Sequence, residues 1–288
     1  METLTQLHKR AIKEKWAMPH FNFSSLEQLE GIIDALRETK SPALVGTSEG
    51  ERDAMGLKQV VALVESFRKE GIVVFLNADH SHSVDAAKKA VEAGYDSIHI
   101  DLSKKSFKEN VEGTREVVKY SKKINSKVEV EGELGYLVTD SSKIYKEKIK
   151  IPEESYTKVD EAVEFVKETG VDRFAPAIGN LHGIAANKPV VHFKLVQELR
   201  KSLPDDLTLV LHGGSGINDE DIKRLVSMGV NNIHFSTELR VAYTEALREE
   251  LKEKPEETAP YKYLDDPRKA TVEIVKQKIA LFGSAGRV

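Results

Sequence analysis

The sequence contains no cysteine. That excludes a disulfide framework, a thiolate metal site and a cysteine nucleophile, so a zinc-type centre would have to be built from histidine and carboxylate. Long apolar runs are missing too. None approaches the roughly 18 residues needed to span a membrane. The charged, helix-patterned stretch from Met1 to Trp16 lacks the apolar segment of a secretion signal. No membrane association and a cytoplasmic location are therefore expected. Basic charge is not in surplus: 43 Lys and Arg stand against 47 Asp and Glu, a formal net charge of −4 with the nine His neutral. That balance does not point to nucleic acid. An anionic metabolite would have to be held by local donors or by a metal. No Pro/Gly/Ser linker divides the chain, so residues 1–288 are expected to form one domain.

The sequence does contain an alternation. Strand-like runs fall at 18–23, 43–47, 73–78, 97–101, 127–131, 172–177, 208–211 and 232–236. Amphipathic, helix-period stretches lie between them, as at 26–39, 57–69, 84–93, 108–124, 160–169, 193–203, 219–228 and 241–252. Strand alternating with helix implies parallel strands joined by crossover helices. Eight such units in 288 residues predict a (β/α)8 TIM barrel, whose usual length is about 250 residues. An open doubly wound sheet would usually show a G-x-G-x-x-G turn after its first strand, and none is present. One more helix, near 266–282, has no matching strand and is expected as an extra C-terminal helix. The Lys- and Glu-rich stretch 141–156 carries no helical stripe and is expected to be a long loop after the fifth strand, either a lid or a solvated insertion.

Active sites of such barrels lie at the C-terminal ends of the strands. There the third strand ends in Asp79-His80, the fifth in Glu131-Gly-Glu133-Leu-Gly, the sixth leads to His182-Gly, and the seventh to His212-Gly-Gly-Ser215-Gly. Three imidazoles with an open position form a catalytic zinc arrangement, and such an ion acts as a Lewis acid on a carbonyl. One His after a strand is more often structural, but three at strand ends beside Gly or Asp favour a shared metal. His8 is expected on a surface helix, His99 and His192 packed or solvated, and His20 and His82 near the rim. Asp79 either orients a histidine ligand or moves a proton. Glu131 and Glu133 alternate along a strand and so face the same side. Glu133 is the better metal candidate, whereas Glu131 reads equally as a core acid paired with a lysine. The Gly-rich turn after His212 opens a helix, a place suited to phosphate.

Together, Asp79-His80, Glu-Gly-Glu133-Leu-Gly, His182-Gly and His212-Gly-Gly-Ser-Gly resemble the class II ketose-bisphosphate aldolases. Phe21-Asn22-Phe23, the Gly46-Thr-Ser48 segment, Thr237-Glu-Leu-Arg240 and the terminal Leu281-Phe-Gly-Ser-Ala-Gly extend the likeness over nearly the whole chain. The resemblance implies reversible cleavage of fructose 1,6-bisphosphate to dihydroxyacetone phosphate and glyceraldehyde 3-phosphate. It implies Zn2+, or another divalent ion, on His80, His182 and His212, with Glu133 as an additional metal-binding acid and Asp79 as the proton shuttle at the C4 hydroxyl. Ser215 with the backbone of Gly183, Gly213 and Gly214, helped by Thr237, would hold a phosphate. Asn22 and Ser48 would face the substrate. Arg240 would reach a phosphate across a subunit boundary in a homodimer or homotetramer. A monovalent cation site also belongs to the pattern.

The chain departs from that pattern in three places. His234 and Ser236 stand where relatives carry Asn and an acid or amide, and both are expected at the substrate. Tyr136 follows the Glu-Leu-Gly motif where Gly-Gly is usual. The loop after His182 reads Gly-Ile-Ala-Ala-Asn-Lys188 in place of Pro-Tyr-Lys. These changes leave the metal set intact and open the choice of ketose phosphate, with tagatose bisphosphate the alternative. A Schiff-base aldolase would need an interior lysine, which no strand supplies. A non-catalytic sugar-phosphate-binding protein would not need Asp79 and all three His.

Overall fold

The computed structural model describes residues 2–288. Helix α1 (Leu4–Glu14) precedes β1 (Met18–Asn22). The alternation then runs through α2 (Leu26–Thr39), β2 (Ala43–Thr47), α3 (Glu49–Met55), α4 (Leu57–Lys69), β3 (Val74–Ser81), α5 (Val84–Ala93), β4 (Ser97–Ile100), α6 (Phe107–Ile124) and β5 (Glu129–Leu134). It continues through α7 (Val159–Thr169), β6 (Arg173–Pro176), α8 (Phe193–Ser202), β7 (Thr208–Leu211), α9 (Asp219–Ser227), β8 (Val230–Phe235) and α10 (Thr237–Glu253). The short α11 (Pro260–Tyr263) and then α12 (Asp265–Phe282) follow. The strands pair in sequence order, all parallel, and β8 closes on β1. This is the expected (β/α)8 barrel with its extra C-terminal helix; α12 packs against α2 and α10.

Local chemistry sets the element ends. Ser25, Ser83 and Ser106 cap α2, α5 and α6 through their hydroxyls, and Gly94 and Gly170 end α5 and α7 in the left-handed conformation. Helix α3 has no apolar stripe and was not foreseen; a capping box between Ser48 and Glu51 starts it. Segment 141–156 is a loop with one 3-10 turn at Glu153–Ser155. It is pinned across the barrel mouth by a bridge between Ile144 and Ile184 and by the Ser142 N–H donating to Thr237 Oγ1 at 3.3 Å.

Apolar residues fill the layer between strands and helices, and Leu4, Leu7 and Ala11 of α1 plug the opposite end of the barrel against Trp16, Met18 and Leu44. His8, expected on a surface, points into that plug and lies 2.8 Å from Glu129. The barrel interior, in contrast, is polar. The fully buried Arg173 guanidinium donates to Asn232 Oδ1 (2.9 Å) and Asn77 Oδ1 (3.0 Å) and pairs with Glu131 Oε2 (3.0 Å). A buried carboxylate and guanidinium are tolerated only when paired and hydrogen-bonded, and this network supplies both. Glu131 is therefore a core acid paired with arginine, not lysine. His20 of β1 stacks on His234 of β8, its register partner, at 3.6 Å between ring centroids and 7° between planes. The His20 ring occupies the space a side chain on residue 46 would need, so Gly46 of β2 has to be glycine.

Candidate active site and metal centre

The C-terminal ends of β1, β3, β6, β7 and β8 open onto one cleft of about 360 Å3. Asp79 and His80 come from β3, His182 and Gly183 from the turn after β6, and His212, Gly213 and Ser215 from the turn after β7. His234 comes from β8, Ser236 and Thr237 from the start of α10, and Asn22 from the end of β1; all line the cleft. Ser48 and Glu133 face the adjoining cleft of about 850 Å3, which shares His80 and His182 with the first. Gly214 and Arg240 line neither. The Gly214 N–H donates to His234 O at 3.1 Å, and Arg240 pairs with Glu51 of its own chain.

The three histidines converge. Ring centroids of His80 lie 4.9 Å from His182 and 4.7 Å from His212, and His182 and His212 are 6.0 Å apart. Two of the rings have a supporting carboxylate. His80 Nδ1 lies 2.9 Å from Asp101 Oδ2, and His212 Nε2 lies 2.6 Å from Glu131 Oε1. Such carboxylate–imidazole pairs orient metal ligands and leave the other nitrogen free. His182 Nε2 is buried with no partner. Burial, reinforced by neighbouring imidazoles, pushes His182 and His234 down to about 3. Burial takes His212 to about 3 as well, against the pull of Glu131. That keeps His182 and His212 neutral, as ligands must be, whereas for His80 burial is outweighed by Asp79 and Asp101, which raise it.

Asp79 is held on one side. Asn22 Nδ2 donates to its Oδ2 at 3.0 Å, while Oδ1 has no hydrogen-bond partner and lies 3.4 Å from His234 Nδ1 and 3.6 Å from His99 Nδ1. Burial opposes its charge, but His80, His234 and His99 outweigh burial and hold the carboxyl well below the ordinary range. Glu131 is depressed likewise, since Arg173 and His99 overcome its burial, whereas burial and Asp101 raise Glu133.

A divalent cation fits this chemistry. Asp79 Oδ1, Glu133 Oε2, His182 Nε2 and His234 Nδ1 are buried without a hydrogen bond, a cost that a metal ion or substrate removes. Among the described residues, Asp79, His80, His99 and His212 form one group whose ligand atoms lie within 4.8 Å of one another, and His80, Asp101 and Glu133 form another; His182 adjoins these groups without belonging to either. His20, Asp79 and His234 are also close. The stacked rings of His20 and His234 send their lone pairs out in parallel, so that trio does not converge on an ion.

His99 is packed, one of its two expected placements, and His20, expected near the rim, is likewise fully buried in the barrel interior. The signal was strand parity. Ser97, His99 and Asp101 alternate with apolar Ile98 and Ile100, and His20 shares parity with Asn22. The carboxylate that orients His80, Asp101, follows the same rule.

A closed parallel barrel with imidazoles and carboxylates gathered at the C-terminal mouth is the arrangement of a metal-dependent barrel enzyme. The description "Fructose-bisphosphate aldolase class-II" belongs to the family model that matches residues 2–287. The chain is 37% identical over 289 residues to the probable fructose-bisphosphate aldolase of Bacillus subtilis, covering 99% of this chain and 98% of that protein. It is 35% identical over 292 residues to the fructose-bisphosphate aldolase of Geobacillus stearothermophilus, with 99% and 98% covered. Among solved structures, the YdjI aldolase of Escherichia coli K12 superposes with a TM-score of 0.83 at 31% identity, covering 100% of this chain and 99% of that one. This chain belongs to the class II fructose-bisphosphate aldolase family, a family of metal-dependent lyases acting on sugar phosphates. No helix among the described residues is long and apolar enough to cross a membrane.

Proposed function

We propose that this aldolase cleaves fructose 1,6-bisphosphate reversibly to dihydroxyacetone phosphate and glyceraldehyde 3-phosphate, using zinc held by His80, His182 and His212. The observation that carries this reading is the convergence of those three rings beside an ionised Asp79 whose Oδ1 is unpartnered. A divalent ion in that place supplies Lewis acidity toward a ketone oxygen where negative charge develops. Asp79 Oδ1 accepts the proton of the C4 hydroxyl as the C3–C4 bond breaks, and Asn22 fixes the carboxylate through Oδ2. His234, 3.4 Å from Asp79 Oδ1, stands at the enediolate side of the cleft in place of the family's amide.

The phosphate of the dihydroxyacetone half is assigned to Ser215, Thr237 and the backbone of Gly183 and Gly213, at the N-terminus of the 17-residue α10. A helix start favours an anion. Ser236 Oγ, buried there without a partner, is a further donor. Gly213 adopts φ 62°, and a Cβ at that position would collide with the Leu181 carbonyl, so the turn is closed to other residues. Ser48 and Glu133 border the aldehyde half in the second cleft, with Glu133 available as an additional metal ligand. We further propose one domain over residues 1–288, a cytoplasmic location and a homodimer or homotetramer.

A panel of fructose, tagatose and sedoheptulose bisphosphates, assayed for triose-phosphate release, tests the substrate. The expected result is the highest kcat/KM for fructose 1,6-bisphosphate. A preference for tagatose bisphosphate would trace to His234, whose ring replaces an amide at the reacting carbons; no cleavage of any of the three would reject the substrate assignment.

A further inference from the structure

The pairing of β3 with β4 is irregular at the point where β3 carries its chemistry. Ala78 pairs with Ile98 and Ser81 with Ile100, so Asp79 and His80 together stand opposite the single residue His99. This is a β-bulge, a device that re-aims side chains beside active sites. It sends two consecutive residues, which an ordinary strand would turn to opposite faces, toward one cleft. The bulge has two costs. His80 adopts φ 45°, the left-handed region that a residue with a Cβ occupies only when its surroundings compel it. Its N–H is also deprived of a ladder partner in a buried place, where an orphaned amide is rarely tolerated.

The acceptor for that amide is a side chain. The His80 N–H donates to Nδ1 of His99 at 3.3 Å. His99 is fully buried, with its ring 4.4 Å from that of His80 and 4.6 Å from that of His212, so no water can take its place. We propose that His99 is a positioning residue: its Nδ1 captures the amide released by the bulge and locks the backbone that aims Asp79 and His80 into the cleft. The other ring nitrogen, Nε2, lies 3.3 Å from Glu133 Oε2. The inference rests on the cleft being the aldolase site, but the bulge itself is defined without metal or substrate.

Three variants separate the two ring nitrogens. Asn in His99→Asn places an amide oxygen where Nδ1 was, and Gln in His99→Gln reaches only toward the place of Nε2. Leu in His99→Leu offers neither. Hydrogen exchange of the His80 amide reads the bulge directly, and competition with a chromophoric chelator reads zinc affinity. The visible spectrum of the cobalt-substituted protein reads ligand geometry. The Leu and Gln variants are expected to exchange His80 faster, to shift the cobalt bands and to bind zinc about 10–100-fold more weakly, the usual effect of losing a group that orients a ligand. His99→Asn is expected to stay near wild type in all three. If the Leu variant does not fold, the Asn and Gln pair, close in size and polarity, carries the comparison. Equal behaviour of Asn and Gln, or a folded Leu variant with unchanged exchange and zinc affinity, overturns the proposal. A wild-type protein that binds no zinc would sink the metal reading alone, because the exchange comparison needs none.

Discussion

Treatment with a strong chelator is expected to abolish aldol cleavage, and zinc or cobalt to restore it. A Lewis acid at a developing oxyanion contributes several kcal/mol, so the metal-free protein should be slower by about 10³-fold or more. Sodium borohydride with substrate should leave activity intact, because a Schiff-base mechanism has no amine to use. Among the described residues Lys278 is the buried lysine, and it lies on α12, paired with Glu238 Oε2 at 2.6 Å and outside the barrel mouth. Full activity after complete metal removal, or inactivation by borohydride that depends on substrate, would show that catalysis does not run through the histidine cluster.

Asp79→Ala should retain zinc and lose about 10²–10⁴-fold in kcat, the range for a general base, with a small change in KM. Asp79 stands within reach of His80 and His212, but its partners differ from theirs. One of its oxygens is engaged by Asn22 and the other faces the cleft, while His80 and His212 are oriented by different acids, Asp101 and Glu131. The flanking histidines keep Asp79 ionised far below neutrality. It is therefore effective through placement beside the reacting hydroxyl rather than through high basicity, and its loss should not create an acid limb near pH 7. Metal analysis of the purified variant decides the matter. If zinc falls below one equivalent while the fold persists, Asp79 serves the metal and the proton acceptor has to be sought elsewhere, His234 first.

The barrel was legible because each crossover unit announces itself twice, by an apolar β-rich run and by a helix-period stripe. Boundaries were less legible where side chains rather than apolar patterning set them. Helix α10 begins at Thr237, before its apolar residues, and β3 runs on to Ser81 through a bulge that no periodicity reveals. The rim residues were found by asking which polar side chains follow strands. Of the residues beneath them only Glu131 was, because strands covered on both sides read as continuous apolar segments and conceal which face a polar residue occupies. Once the register is fixed, His20, His99, Glu131 and Arg173 fall on the inner face and form the buried layer that orients His212 and Asp79. Arg240 illustrates the opposite case: its motif suggested a phosphate contact, whereas within one chain it is tied to Glu51, which also accepts from the Ser48 N–H at 2.7 Å.

Anomalous diffraction at the zinc edge from metal-loaded crystals is the most direct test of the account. It predicts one strong peak bonded to a nitrogen of each of His80, His182 and His212 at about 2.0–2.1 Å. A peak that leaves one of these rings unligated, or none at the barrel mouth, would contradict it.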